Sequence, residues 1–477
     1  MDLIAILISL ALLIIVAYRG YSVILFAPIS ALLAVLLTDP SYVLPFFSNI
    51  FMDKMVGFIK LYFPVFLLGA IFGKIVEISG IAQNISKIIV RLIGKKRAIL
   101  SVVLMGSILT YSGVSLFVVV FAIYPFASHL FRAANIPKRL IPATIAFSAF
   151  TFSMDAIPGS PQIQNVIPTS FLKTTIYAAP LLGVIGALFI ITLGMLYLEN
   201  AHRRAALRGE GYYGSGKNKI SESEDKKLLS EFNQTLEEKI TIKDWLSFIP
   251  LVVVGVMNKV LTIWIPYWYS NGFDFSSIGL KEYGSVNIEQ VLAIWAVSIA
   301  LILGSIVAVT FNFKSIQHQF KTSIHIGISG ALLATINTAS EFGFGGVIAS
   351  LPGFTLIQKA LTDTFSHPLV NAAVSTNVMS GMTGSGSGGM SIVLSIMAEK
   401  YIVAANTFDI PLEVMHRVIA MAAGGMDTLP HNGAVITLLL VTGLTHKQAY
   451  KDIFIITIIK TLAVFFVILV YHVTGIV

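Results

Sequence analysis

The sequence predicts an all-α integral membrane protein made of two inverted-topology repeats, each holding a re-entrant hairpin and a broken transmembrane helix. Three observations lead there. Of 477 residues, 56% are hydrophobic and only 12% charged, with a mean hydropathy of +0.84, more apolar than a chain that folds in water. Two short stretches nearly copy one another, MDAIPGSP from Met154 and MDTLPHNG from Met426, each an Asp and a Pro inside apolar sequence. The basic residues gather in short loops between apolar runs, where they set orientation in a bilayer.

Apolar runs of about twenty residues can span a hydrocarbon core roughly 30 Å thick as helices, and runs this long fit helices rather than barrel strands. The first half reads as helices near 3–17, 21–37 and 59–79, a basic amphipathic stretch near 81–97, an overlong segment 98–128, an interrupted segment 138–167 and a helix 171–198. The N-terminal run lacks the basic start and small-residue cleavage site of a signal peptide, so it is expected to be retained as a first helix. A stretch at 200–244 is too hydrophilic for lipid; it divides the chain into a first membrane repeat (1–199), a linker and a second membrane repeat (245–477). After the linker the order recurs: helices near 245–263, 289–311 and 323–348, an amphipathic stretch 354–370, an overlong segment 371–398, an interrupted segment 414–440 and a last helix 451–475.

The distance from Asp155 to Asp427 is nearly that from Ser112-Gly113 to Ser387-Gly388, so two matches fall in order within equivalent elements, as duplication requires. A helix of about thirty residues would be about 45 Å long, too long for the hydrocarbon core unless steeply tilted. Lys87, Arg91, Lys95, Lys96 and Arg97 precede the first overlong segment, and Arg132, Lys138 and Arg139 follow it. The positive-inside rule puts both ends in the cytoplasm and makes the segment a hairpin. Counting on from there sets both termini outside and the 200–244 linker in the cytoplasm, and the second hairpin then enters from the opposite face.

The net charge of +8 is spread through loops and implies no nucleic-acid partner. With no cysteine, thiolate metal sites are excluded; no two histidines stand three or four residues apart, and no nucleophile has a nearby base, so neither a metal, a cofactor nor an intramembrane enzyme is expected.

Chemistry is expected at the interruptions. The first hairpin turns around TYSGVS, where Ser112, Gly113 and Ser115 leave hydroxyls and backbone groups near mid-membrane; such groups persist there only buried in protein or lining a wet cavity. The second turns within Ser375–Ser391, where glycines including Gly388 permit close approach and Asn377, Ser385 and Ser387 supply neutral ligands. Pro158 and Pro161 in one interrupted segment and Pro430 in the other each remove a backbone donor and force a break. Helix ends then face inward, where amide ends attract anions and carbonyl ends attract cations. Asp155 and Asp427, three residues before a proline in each break, could bind a proton or sodium, or could cap the half-helices that follow. His431 could hold a substrate carboxylate, relay a proton or merely satisfy a loop carbonyl; Gln162, Gln164 and Asn165 could bind hydroxyls or fill a polar break. Glu341, with Asn337 and Ser340, could pair with the site or line its entry but is expected near an interface, and Lys74 and Glu77 suit an ion pair one turn apart. Broken helices in duplicated halves suit alternating access better than a continuous pore.

The order of elements, with the motifs TFSMDAIPGSPQIQNVIP, NTASEFGFGG, TGSGSGGMSI and GGMDTLPHNGAVITLL, resembles the gluconate permease family of the ion-transporter superfamily over essentially the whole chain. The resemblance implies an inner-membrane importer of small organic anions such as gluconate or 3-hydroxybutyrate, working by proton symport as an elevator-type homodimer. The superfamily's dicarboxylate carriers use Ser-Asn-Thr signatures at the hairpin tips; this chain has TYSGVS and GSGSGG instead, which weighs against sodium coupling. By position, the resemblance assigns the anion and its hydroxyls to Ser112, Gly113, Ser385, Ser387, Asn432 and the break at Pro158, with Asp155 and Asp427 as the coupling candidates.

Overall fold

Apolar sequence that cannot bond to lipid satisfies its backbone within itself, and the computed structural model is accordingly helical almost throughout. It describes residues 2–19, 21–94, 97–114, 116–214, 240–270, 272–311, 313–356, 365–430 and 432–477. The sheet among them is one antiparallel pair, β1 (Phe273–Asp274) and β2 (Ser285–Val286), in the aromatic loop. Six helical stretches among the described residues are long and apolar enough to cross a membrane.

One group of helices forms a scaffold. Helices α1 (Asp2–Tyr18) and α2 (Val23–Thr38) lead through short 3-10, α and π turns at residues 40–51 into α3 (Met52–Ile78). These pack with α12 (Ile249–Trp268), α13 (Ile288–Phe311) and α14 (Phe313–Ser350), of which α14 lies along α3 and α2. Small residues let the backbones close up: a Cβ added at Gly304 would strike Val254, and one at Gly343 would touch Phe51. The amphipathic α4 (Ile81–Ile93) follows α3 and buries Ile81, Ile85, Ile88 and Ile89.

The second group is the core. Helices α5 (Ala98–Tyr111) and α6 (Leu116–Ala133) make the first hairpin; α7 (Leu140–Ala149), the single turn α8 (Phe152–Asp155) and α9 (Ile163–Leu172) make the first broken segment; α10 (Pro180–Leu207) closes the half. After the linker and the short α11 (Ile242–Leu246), the second hairpin is α15 (Pro368–Thr383) and α16 (Gly386–Thr407). Its broken segment is α17 (Leu412–Gly425), a 3-10 turn at Met426–Thr428 and α18 (Gly433–Thr442), followed by α19 (His446–Thr474). Equivalent helices of the two halves meet, α3 on α14 and α10 on α19. Hairpin helices of 14 and 16 residues reach about 21 and 24 Å, short of a bilayer core, so they end inside the protein.

Several boundaries depart from the sequence reading. The helix expected at 59–79 begins at Met52 because residues 40–51 are already helical. The one expected at 171–198 begins at Pro180, after left-handed turns at Lys173 and Ala179, and runs on to Leu207, past the expected start of the linker. Residues 215–239 of the linker and 357–364 of the amphipathic stretch 354–370 lie outside the described residues.

Candidate functional site

Each broken segment stops a helix inside buried protein, which leaves backbone carbonyls without helical partners. In the first break, Arg417 of α17 answers them. Its Nη1 donates to the Asp155 carbonyl at 2.5 Å, and its Nε and Nη2 to the Ala178 carbonyl at 3.1 and 2.7 Å. Nη1 also donates to Asn165 Oδ1 at 3.0 Å, while Asn165 Nδ2 serves the Ser160 and Ile176 carbonyls at 2.9 and 2.8 Å. His416 Nε2 lies 3.2 Å from the same Asn165 oxygen, with Nδ1 2.7 Å from the Thr174 hydroxyl. The missing side chain of Gly183 makes room for this: a Cβ there would lie 3.0 Å from Arg417 Nε.

Asp155 itself is fully buried and ion-paired with Lys460 of α19, equally buried. Its Oδ1 carries the pair; Oδ2 has no hydrogen-bond partner. In the second break, Asp427 ties three elements together. Oδ1 accepts from the Gly386 amide at the second hairpin tip (2.9 Å) and from Asn432 Nδ2 (3.1 Å), and Oδ2 accepts from Gln164 Nε2 of α9 (2.9 Å). Only glycine fits at 386, because a Cβ would lie 2.5 Å from Asp427 Oδ2.

The hairpin tips are held differently. Gln162 Nε2 donates to the Thr110 and Val114 carbonyls on the two sides of the first turn, at 2.7 and 3.1 Å, and the Tyr111 hydroxyl donates to the Pro158 carbonyl at 2.9 Å. Gly113 turns there with φ +92°, a conformation that favours glycine. At the second tip, Ser385 caps α16 by accepting from the Gly388 amide at 3.0 Å, with the Ser387 hydroxyl 3.4 Å away. Against this tip lies Glu341 of the scaffold helix α14, 3% exposed; a Cβ on Gly388 would lie 1.5 Å from its Oε2.

Three acids and two bases thus share one buried region. The charge of Asp427 acts on both Asp155 and Glu341, and that of Lys460 on both aspartates. Around them Gln164 Oε1, Ser160 Oγ, Thr376 Oγ1, Asn377 Oδ1 and Glu341 Oε2 are buried without hydrogen-bond partners. No group of three metal-ligating side chains stands among the described residues.

Asp155, Asp427, Gln162, Pro158, Gly113, Ser385, Ser387, Gly388 and Asn432 therefore lie at the breaks and tips where the sequence put them. Ser112 lies there too, but its hydroxyl donates back to the Ile108 carbonyl at 2.6 Å. Asn377 sits within α15, its Nδ2 bonded to the Ala373 carbonyl. Ser115 and His431 lie outside the described residues. Neither aspartate caps the following half-helix: Asn432 caps α18, and no side chain caps α9. Glu341 is not interfacial but covered by the second hairpin, and the Lys74–Glu77 pair forms at 2.8 Å. Lys460 and Arg417 were not anticipated, although a lysine inside the apolar run IIKTLAVFF is a signal in its own right.

No family model matches the chain. A protein of Bacillus subtilis (strain 168) described as the uncharacterized transporter YxjC is 61% identical over 477 residues, covering all of both chains. A crystal structure of the Alcanivorax borkumensis YdaH transporter, described as having an unusual topology, aligns with 91% of this chain and 89% of that one at 14% identity and a TM-score of 0.49, a likeness too slight to inform the site. With identity of that extent to YxjC along its full length and a multi-pass helical fold, the chain belongs to the same family of membrane transporters.

Proposed function

We propose that this transporter imports a small organic hydroxymonocarboxylate, of the gluconate or 3-hydroxybutyrate kind, by proton symport with elevator-type alternating access. The reading rests above all on Asp427, a buried carboxylate joined at once to its own break, to α9 of the other half and to the amide end of α16. A group so placed senses whether the site is closed, and a proton on it would break or keep those bonds. The anion would lie against the amide ends and hydroxyls of the two tips and breaks: Ser112, Gly113 and Ser115, Pro158 and Gln162, Asn377, Ser385, Ser387 and Gly388, His431 and Asn432. Asp155 and Asp427 are the coupling groups. The core slides on the scaffold, and two copies join as a homodimer in the inner membrane with the 200–244 linker in the cytoplasm and both termini outside.

Proteoliposomes with independently set pH and sodium gradients test this. An inward proton gradient drives accumulation of labelled gluconate or 3-hydroxybutyrate without sodium. Asp427→Asn abolishes the pH-driven uptake while counterflow persists; unchanged pH-driven uptake removes Asp427 from the coupling role. A sodium-coupled cycle is the second reading, favoured by the unbonded buried oxygens of Gln164, Thr376 and Asn377, which suit a hard cation. Uptake that requires sodium at fixed pH selects it.

A further inference from the structure

Glu341 has no part in the cycle just proposed, yet it occupies a telling place. It comes from the scaffold, on α14, and reaches the tip of a hairpin that belongs to the core. Its Oε2 is buried without a partner and lies against Gly388 in the first turn of α16, a helix of 22 residues. The Gly386 amide is taken by Asp427 and the Gly388 amide by Ser385. A helix start of this kind draws one negative charge, and a carboxylate already stands at it.

From the elements packed on α14, the ionisable groups are Asp427 behind the tip, Asp53, Lys54, Lys60, Tyr62, Lys74 and Glu77 of α3, Glu289 of α13, and Glu399, Lys400 and Tyr401 towards the far end of α16. Of these, Asp427 is the one whose charge acts on Glu341, and it is of like sign. Lys54 packs a turn further along, against Gly346. No cation therefore offsets a second anion beside Glu341 in this part of the described structure.

We propose that the Glu341 carboxylate is an internal competitor for the substrate carboxylate at the start of α16, and that its protonation admits the anion. Ionised, it repels an incoming carboxylate within a low-dielectric site; protonated, it becomes a neutral hydroxyl donor able to bond the anion it had excluded. Because it stays with the scaffold, it carries no proton across; it sets the affinity of the site in the position where core and scaffold meet this way. The inference rests on the proposed carboxylate substrate but not on the identity of the coupling ion.

Counterflow at equal pH on both sides of the liposome needs no driving gradient, and Asp155 and Asp427 contribute the same pH dependence to wild type and to Glu341→Gln, so the difference between the two proteins reads Glu341. The probe is labelled gluconate or 3-hydroxybutyrate, whichever the wild type exchanges; exchange of neither overturns the carboxylate reading and this inference together. Once Glu341 is ionised, the wild-type KM rises with pH about tenfold per unit more steeply than the coupling carboxylates alone would make it. Glu341→Gln flattens that rise and at the alkaline end binds the probe at least tenfold more tightly than wild type. A Glu341→Gln protein whose KM keeps the wild-type slope overturns the proposal while leaving proton symport standing. Should the Gln variant not reach the membrane, Glu341→Asp, which draws the charge back from Gly388 by one methylene, lowers KM at alkaline pH; an unchanged KM overturns the proposal equally.

Discussion

Replacing Lys460 by Met leaves Asp155 without any side-chain partner. Arg417 cannot step in, because its Nη1 is committed to the Asp155 backbone carbonyl and to Asn165, and Oδ2 of Asp155 is unbonded already. Both members of the pair are fully buried, so removing one partner strands a charge in the interior, at a cost of about 3–5 kcal/mol. Asp155→Asn strands the ammonium in the same way. The double variant strands nothing, and its loss is expected to fall well below the sum of the two single losses. Thermal unfolding of the detergent-purified protein, followed by size-exclusion recovery, reads all four corners of the cycle. Each single variant should melt about 5 °C or more below wild type, with the double variant above both. Single variants that melt with the wild type, or losses that simply add in the double, would refute the assignment of this pair as a mutually dependent charge couple.

Two other substitutions probe the geometry around it. A Cβ at Gly424 would lie 1.6 Å from Asp155 Oδ2, so Gly424→Ala must push Asp155 off Lys460; uptake per transporter in the membrane should fall at least tenfold, against no loss for Gly255→Ala, where nothing lies within 4 Å. Gln162→Ala removes both bonds that clamp the first turn, and hydrogen exchange of the amides between Tyr111 and Leu116 should speed up about tenfold or more relative to wild type.

The features legible in the sequence are those that carry a free-energy cost in lipid wherever they occur. Asp155 and Asp427 beside prolines, and Gly/Ser runs inside apolar segments, announce broken backbone without any knowledge of the fold. Lys460 obeys the same rule, but its meaning lies in a partner 305 residues away, and no spacing along the chain reveals that pairing. Arg417 and Asn165 are harder still: they serve carbonyls whose exposure follows from where the first break folds back, at Ser160, Ile176 and Ala178. Glu341, expected near an interface, is buried because the second hairpin, far along the chain, covers it. Ser112 shows the converse. It stands at the expected tip, yet the last turn of α5 claims its hydroxyl for a free carbonyl, as serine at a helix end commonly does.

The tally of charge at the buried site of the core carries one more consequence. Asp155 and Asp427 stand against Lys460 and Arg417, and the unmatched acid, Glu341, belongs to the scaffold. A mobile core with one surplus charge would feel about 2.3 kcal/mol for every 100 mV across the bilayer. Two against two at the buried site gives the electric field no grip on it when empty, and an anion entering with its proton adds none. On the proposed cycle, both the outbound and the return stroke would run at the same energy in a polarised cell as in a depolarised one.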